Sequence, residues 1–220
     1  MKKTPSLVLL LALGGLAGFA QAEELKGDAA RGAKINDVCI GCHGITGYKS
    51  SFPEVYHVPA IAGQNPQYLV AALDAYRKGG RKQESMRAVA GALSEQDIAD
   101  LAAFYSTQYQ PAKPAPETLA VAPSPKVAEL LDRGACSSCH GANFTKPIDG
   151  SYPKIAGQYA DYLYAALKSY KTEGNPRVGR DNAIMGAQVK QFSHAELRAI
   201  AQYLASLPGE IATVAQSPFH

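Results

Sequence analysis

A chain of 220 residues with 22 Lys and Arg against 19 Asp and Glu carries a formal charge of only +3, and 46% of it is apolar. So even a balance excludes the strongly basic surface that nucleic-acid binding requires, and the apolar content is that of a chain able to bury a core. Only four cysteines are present, and all four fall in two short motifs.

In chain order, Lys2 and Lys3 precede the apolar run Leu7–Ala20, which ends at Ala20-Gln21-Ala22. A basic start, an apolar stretch and an A-x-A site predict a cleavable signal peptide over residues 1–22 and a periplasmic destination. The run is shorter than the ~20 residues of a membrane-spanning helix, which disfavours an uncleaved anchor. Next comes Cys39-Ile40-Gly41-Cys42-His43, repeated 97 positions later as Cys136-Ser137-Ser138-Cys139-His140. C-x-x-C-H is the attachment signature of c-type haem: the two thiols bind the porphyrin edge covalently and the histidine binds iron. Two other readings compete. A thioredoxin-like C-x-x-C pair does not need a histidine after each pair, and no βαβ pattern surrounds either copy. A structural zinc needs its ligand pairs close enough to close one site.

The repeat extends beyond these motifs. Pro59-Ala60-Ile61-Ala62-Gly63-Gln64 matches Pro153-Lys154-Ile155-Ala156-Gly157-Gln158, and Tyr68-Leu69-Val70-Ala71-Ala72-Leu73 matches Tyr162-Leu163-Tyr164-Ala165-Ala166-Leu167. The second pair places apolar residues at helical spacing, as do Ile98, Leu101, Ala102 and Tyr105, and likewise Leu197, Ile200, Ala201 and Leu204. Ser94 with Asp97, and Ser193 with Glu196, read as capped helix starts. No window alternates as a strand. Between the copies, Gln110–Pro125 carries five prolines, which predicts an extended, semi-rigid linker. The expected division is a first domain over 23–110, a linker over 111–125, a second domain over 126–208 and a tail over 209–220. Domains this small lack a sufficient apolar core by themselves, and a large flat cofactor supplies the missing surface. The expected fold is all-α: two tandem helical domains, each wrapped around one covalently bound haem c.

Apart from Met1 the chain has only two methionines beyond the signal segment, Met86 and Met185, each eight positions before a capping serine. Matched positions in two repeats point to a shared role, and a thioether is a common partner to histidine on haem iron. The expected cofactor-binding residues are Cys39, Cys42, His43 and Met86, and Cys136, Cys139, His140 and Met185. The iron ligands among them are His43, Met86, His140 and Met185. With both axial positions filled, no iron has a free site for substrate, so the expectation is an electron carrier and not an enzyme. The Pro59 and Pro153 carbonyls are candidates to orient the two histidines. Arg77, Lys78, Arg81, Lys82 and Arg87 form the densest basic group, readable as a propionate site or a solvated face. His57, His194 and His220 have no repeat partner and read as ordinary surface or local hydrogen-bonding residues.

Two C-x-x-C-H motifs, two P-x-I-A-G-Q segments and two late methionines resemble the diheme cytochrome c4 family, over essentially the whole chain after residue 22. The resemblance implies tandem class I cytochrome c domains facing each other across a pseudo-twofold axis. It also implies a carrier between a quinol–cytochrome c reductase and a terminal oxidase or other periplasmic reductase, with loose peripheral membrane association. The alternative is a cytochrome subunit of a periplasmic dehydrogenase, similar to flavocytochrome c sulfide dehydrogenase.

Overall fold

The computed structural model of the protein describes residues 26–216. The signal segment 1–22 and His220 therefore lie outside the described residues. The first half contains α1 (Ala29–Lys34), α2 (Asp37–His43), α3 (Pro66–Arg77), α4 (Glu84–Gly91) and α5 (Glu95–Thr107). The second contains α6 (Pro125–Arg133), α7 (Cys136–His140), α8 (Ala160–Ser169), α9 (Ala183–Lys190) and α10 (His194–Ser206). Among the described residues the only strand pairing beyond isolated bridges is a two-residue hairpin, β1 (Lys49–Ser50) with β2 (Tyr56–His57). Its strands are too short for alternation to register in the sequence. None of the helices described is long and apolar enough to cross a membrane.

The last helix of each half is the platform. The Ser94 and Ser193 side chains each accept the N3 amide, while Asp97 and Glu196 accept the cap amide in return. Each reciprocal box removes orphan donors and is worth about 1 kcal/mol. The apolar stripes behind the caps are buried as their spacing predicts: Ile98, Leu101, Ala102 and Tyr105 in α5, and Leu197, Ile200, Ala201 and Leu204 in α10. The entry helix of each half is then pinned to that cap. Arg31 of α1 binds Asp97 at 2.5 Å, and Arg133 of α6 binds Glu196 at 2.6 Å. In the first half the packing is closer still. Gly32 lies against α5 so tightly that a Cβ would overlap the Asp100 carbonyl oxygen. The Asp100 side chain, with no exposed surface, accepts from the Asp28 amide, Arg31 and Gln96.

The two cores are unequal. Leu130, Phe144, Leu163, Val189, Phe192 and the α10 stripe form a continuous cluster in the second half. The first half gathers only Leu69, Leu101, Ala102 and Tyr105. Gln110–Ser124 forms no helix, as its prolines predict, yet it is fastened along the second half. Asn143 donates to the Pro116 carbonyl (2.6 Å), Tyr203 to the Val121 carbonyl (2.8 Å), and Lys146 pairs with Glu117 (2.8 Å). α6 opens at Pro125, whose missing N–H costs nothing at a helix start.

The halves meet face to face. Gln64 and Gln158 reach across to Lys154 and Ala60, Asn65 donates to the Tyr152 carbonyl, and Lys168 pairs with Glu54 at 2.6 Å. His57 is not an ordinary surface residue. Its Nδ1 lies 2.7 Å from Asp161 of the other half, and its ring stacks on Tyr159 at 4.7 Å. Beyond α10 the chain returns to the first half, where Ala212 pairs with Ala62 in an antiparallel bridge.

Candidate functional site

In α2 the thiols of Cys39 and Cys42 and the imidazole of His43 stand at positions i, i+3 and i+4, one face of a helix. α7 repeats this with Cys136, Cys139 and His140. The second copy is reached through Ala135, which takes a left-handed conformation (φ 44°), after Gly134, where a Cβ would press on the Cys136 sulfur and the Phe192 ring. No disulfide joins any of the four cysteines.

The eight residues expected from sequence line one cavity of about 840 Å3 that runs through both halves. Met86 and Met185 enter it from α4 and α9. Each is the third helical residue, its amide held by a capping side chain: Gln83 at 2.7 Å and Asn182 at 2.9 Å. Each histidine has its Nδ1 on a proline carbonyl, His43 on Pro59 (2.9 Å) and His140 on Pro153 (3.1 Å). With Nδ1–H donating, Nε2 keeps its lone pair for a metal.

Burial holds both imidazoles below the ordinary histidine pKa, with the proline carbonyls opposing only in part. The shift favours the neutral ring, the form that can bind a metal. Burial also pushes the Cys39 and Cys136 thiols up to about 11. An attacking thiol in a redox disulfide has a depressed pKa, so this shift runs against the thioredoxin-like reading. Zinc fails on geometry, because among the described residues no three His, Cys, Asp or Glu side chains converge on one point.

Sequence reasoning missed half of the polar wall. Of the basic group named above, Arg77 and Lys78 pair with Asp74, and Lys82 with Asp181 of the other half. Only Arg81 lines the cavity, and it faces Arg180 of the second half across an antiparallel backbone bridge. Arg81 bonds the Tyr68 hydroxyl and lies over the Tyr68 and Tyr76 rings; Arg180 bonds the Tyr162 hydroxyl and lies over Tyr162 and Tyr170. Burial pushes the Tyr68 hydroxyl up to about 12; at Tyr162 the two guanidinium charges outweigh burial and the shift is downward. The signal was present in the sequence: both arginines stand five positions before the late methionines.

Two guanidinium groups side by side, without a carboxylate within salt-bridge distance among the described residues, call for anionic partners. A haem in each half brings apolar bulk for the cavity, vinyl edges for the thiols, iron for an imidazole and a thioether, and carboxylates for the arginines. The residues present fit that group.

The Cytochrome c family profile matches residues 29–108 and 125–208. Cytochrome c4 from Azotobacter vinelandii is 32% identical over 92% of this chain and 98% of its own length. A thiosulfate dehydrogenase electron acceptor from Stutzerimonas stutzeri is 30% identical over 90% of this chain and 91% of its own. The crystal structure of reduced cytochrome c4 from Pseudomonas stutzeri superimposes with a TM-score of 0.61 at 29% identity, covering 83% of this chain and all of that one. Repeated motifs, matched halves and full-length relatives agree: the chain belongs to the diheme cytochrome c4 family, electron-transfer proteins with two covalently bound haem c groups.

Proposed function

We propose that the chain is a periplasmic carrier with iron ligands His43 and Met86 in one half and His140 and Met185 in the other. It takes electrons from a quinol–cytochrome c reductase and passes them to a terminal oxidase or another periplasmic reductase. The observation that carries this reading is the placement of all eight residues, at repeat-equivalent positions, along one cavity spanning both halves. Haem iron held by an imidazole and a thioether exchanges single electrons while offering no open position to a substrate.

The protein supplies the rest. Cys39, Cys42, Cys136 and Cys139 fix the group covalently, so it is not lost outside the cell membrane. The Met86 and Met185 sulfurs, soft donors, favour the reduced state and raise the potential relative to a second imidazole. Arg81 and Arg180, with the Tyr68 and Tyr162 hydroxyls, would hold haem carboxylates at the junction of the halves. Val38, Tyr48 and Phe52 line the first end of the cavity while 58%, 43% and 49% exposed, and Ile184 lines the second at 52%. An apolar rim of this size suits brief docking of redox partners.

Stopped-flow reduction by the purified reductase, followed by oxidation with the oxidase, tests the assignment. Rapid single-electron steps at both haems are expected; failure to react with either partner rejects this placement. The second reading, a dehydrogenase-bound cytochrome, is favoured by the relative named as an electron acceptor of thiosulfate dehydrogenase. Purification from native membranes and periplasm separates the two, since a stable complex with a catalytic subunit supports the second and a lone chain supports the first.

A further inference from the structure

The repeated P-x-I-A-G-Q segment connects each half's histidine to the opposite half through a single peptide group. The Pro59 carbonyl accepts from His43 Nδ1. The nitrogen of that same peptide, Ala60 N–H, donates to Gln158 Oε1 of the second half at 3.0 Å. Gln158 Nε2 returns a bond to the Ala60 carbonyl at 2.9 Å. The mirror image holds as well: His140 Nδ1 bonds the Pro153 carbonyl, Lys154 N–H donates to Gln64 Oε1 at 2.8 Å, and Gln64 Nε2 donates to the Lys154 carbonyl at 2.9 Å. Both glutamines are nearly inaccessible, 3% and 5% exposed, so water cannot replace them. Their oxygens are held in place from behind by the Asn65 and Tyr159 amides, each at 3.0 Å.

A peptide whose N–H is engaged becomes a better acceptor at its own oxygen, because hydrogen bonds in a chain polarise one another. A better acceptor draws the Nδ1–H proton away from the imidazole, which makes the ring a stronger donor to its metal and fixes its plane. A stronger imidazole donor stabilises the oxidised state.

We propose that Gln158 and Gln64 are positioning residues acting across the interface: Gln158 sets the donor strength of His43, and Gln64 sets that of His140. The inference rests on both histidines being iron ligands. It makes the reduction potential of each half a property of its contact with the other, through neutral amide groups alone.

The test uses the holoprotein with Gln158→Leu and Gln64→Leu, reading the two haem potentials and the Nδ1–H proton resonances of His43 and His140 in the reduced state. Gln158→Leu is expected to raise the potential of the haem in the first half by about threefold in the redox equilibrium, about 28 mV at 59 mV per decade. The His43 Nδ1–H resonance moves upfield with it, and the second half changes little. Gln64→Leu gives the mirror result. Gln158→Glu, which keeps an oxygen for the Ala60 N–H, holds the first potential at or below its original value. Asp161→Asn loosens the interface at His57 without touching either peptide and leaves both potentials in place.

Equal shifts at both haems, a shift confined to the mutated half, or a match by Asp161→Asn overturns the proposal in favour of general loosening. Unmoved potentials with intact ring-shifted His43 and His140 resonances overturn it while leaving the ligand assignment standing. Absence of those resonances in the unaltered protein removes the ligand assignment itself.

Discussion

Replacing Arg180 by methionine, which keeps the length of the side chain and removes its charge, distinguishes two physical pictures of the arginine pair. In the protein alone Arg180 makes one hydrogen bond to Tyr162 and lies over two rings, at 5.4 and 5.5 Å. The bond is worth about 1 kcal/mol and the two ring contacts about 0.5 to 1 kcal/mol each. Their loss, about 2 to 3 kcal/mol, is opposed by relief of repulsion with Arg81, so the net cost without an anionic partner is smaller than that sum. If Arg180 instead holds a haem carboxylate, the variant leaves that charge unpaired in a half-buried site, and the cost rises to about 3 kcal/mol. Loss of a positive charge beside the redox centres also favours their oxidised forms, so both potentials fall. Urea unfolding of the holoprotein measures the first quantity and a spectroelectrochemical titration the second. Unchanged stability together with unchanged potentials refutes the assignment of Arg180 to a haem carboxylate.

Met86→Ala should lower the potential of the first haem alone and abolish its share of the red charge-transfer band of sulfur–ferric ligation; Met185→Ala should do the same in the second half. A redox titration with both potentials unmoved removes the methionines as ligands. Asp97 and Glu196 are both held down to about 2, by bonds from Ser94 and Ser193 first and then by Arg31 and Arg133. Groups depressed on folding stabilise above their unfolded pKa and cease to do so as pH falls through the folded one. Thermal stability should therefore drop progressively from about pH 4.5 towards pH 2, with a shallower slope in Asp97→Asn. Gly32→Ala should cost about 1 to 3 kcal/mol by overpacking α1 on α5, seen as a lowered unfolding midpoint; a change within 0.5 kcal/mol contradicts the close approach.

Residues whose function follows from local spacing were legible in the sequence. A C-x-x-C-H motif and a capping serine three positions before its acid are short-range patterns, and both capped starts open a helix as expected. The proline carbonyls were legible too, through their position in the repeat. What escaped was which side chains the halves use on each other. His57 carries no pattern of its own, and its role depends on Asp161, 104 positions away. Arg180 lies outside the basic cluster around Arg81, and only the facing of the two loops makes them a pair. Gln64 and Gln158 were visible as repeated letters, but repetition does not say that a side chain serves the opposite copy. Periodicity reports which side of a helix is apolar; it is silent on which partner that side will meet.

The two glutamine exchanges are one contact made twice, in opposite directions. Identical subunits related by a twofold axis meet in this way, each patch complementary to itself. Two separate halves would associate only as far as dilution allows. Joined by residues 110–124 they face each other at a fixed local concentration, in the millimolar range for a short tether, so the contact between them does not depend on how dilute the protein is.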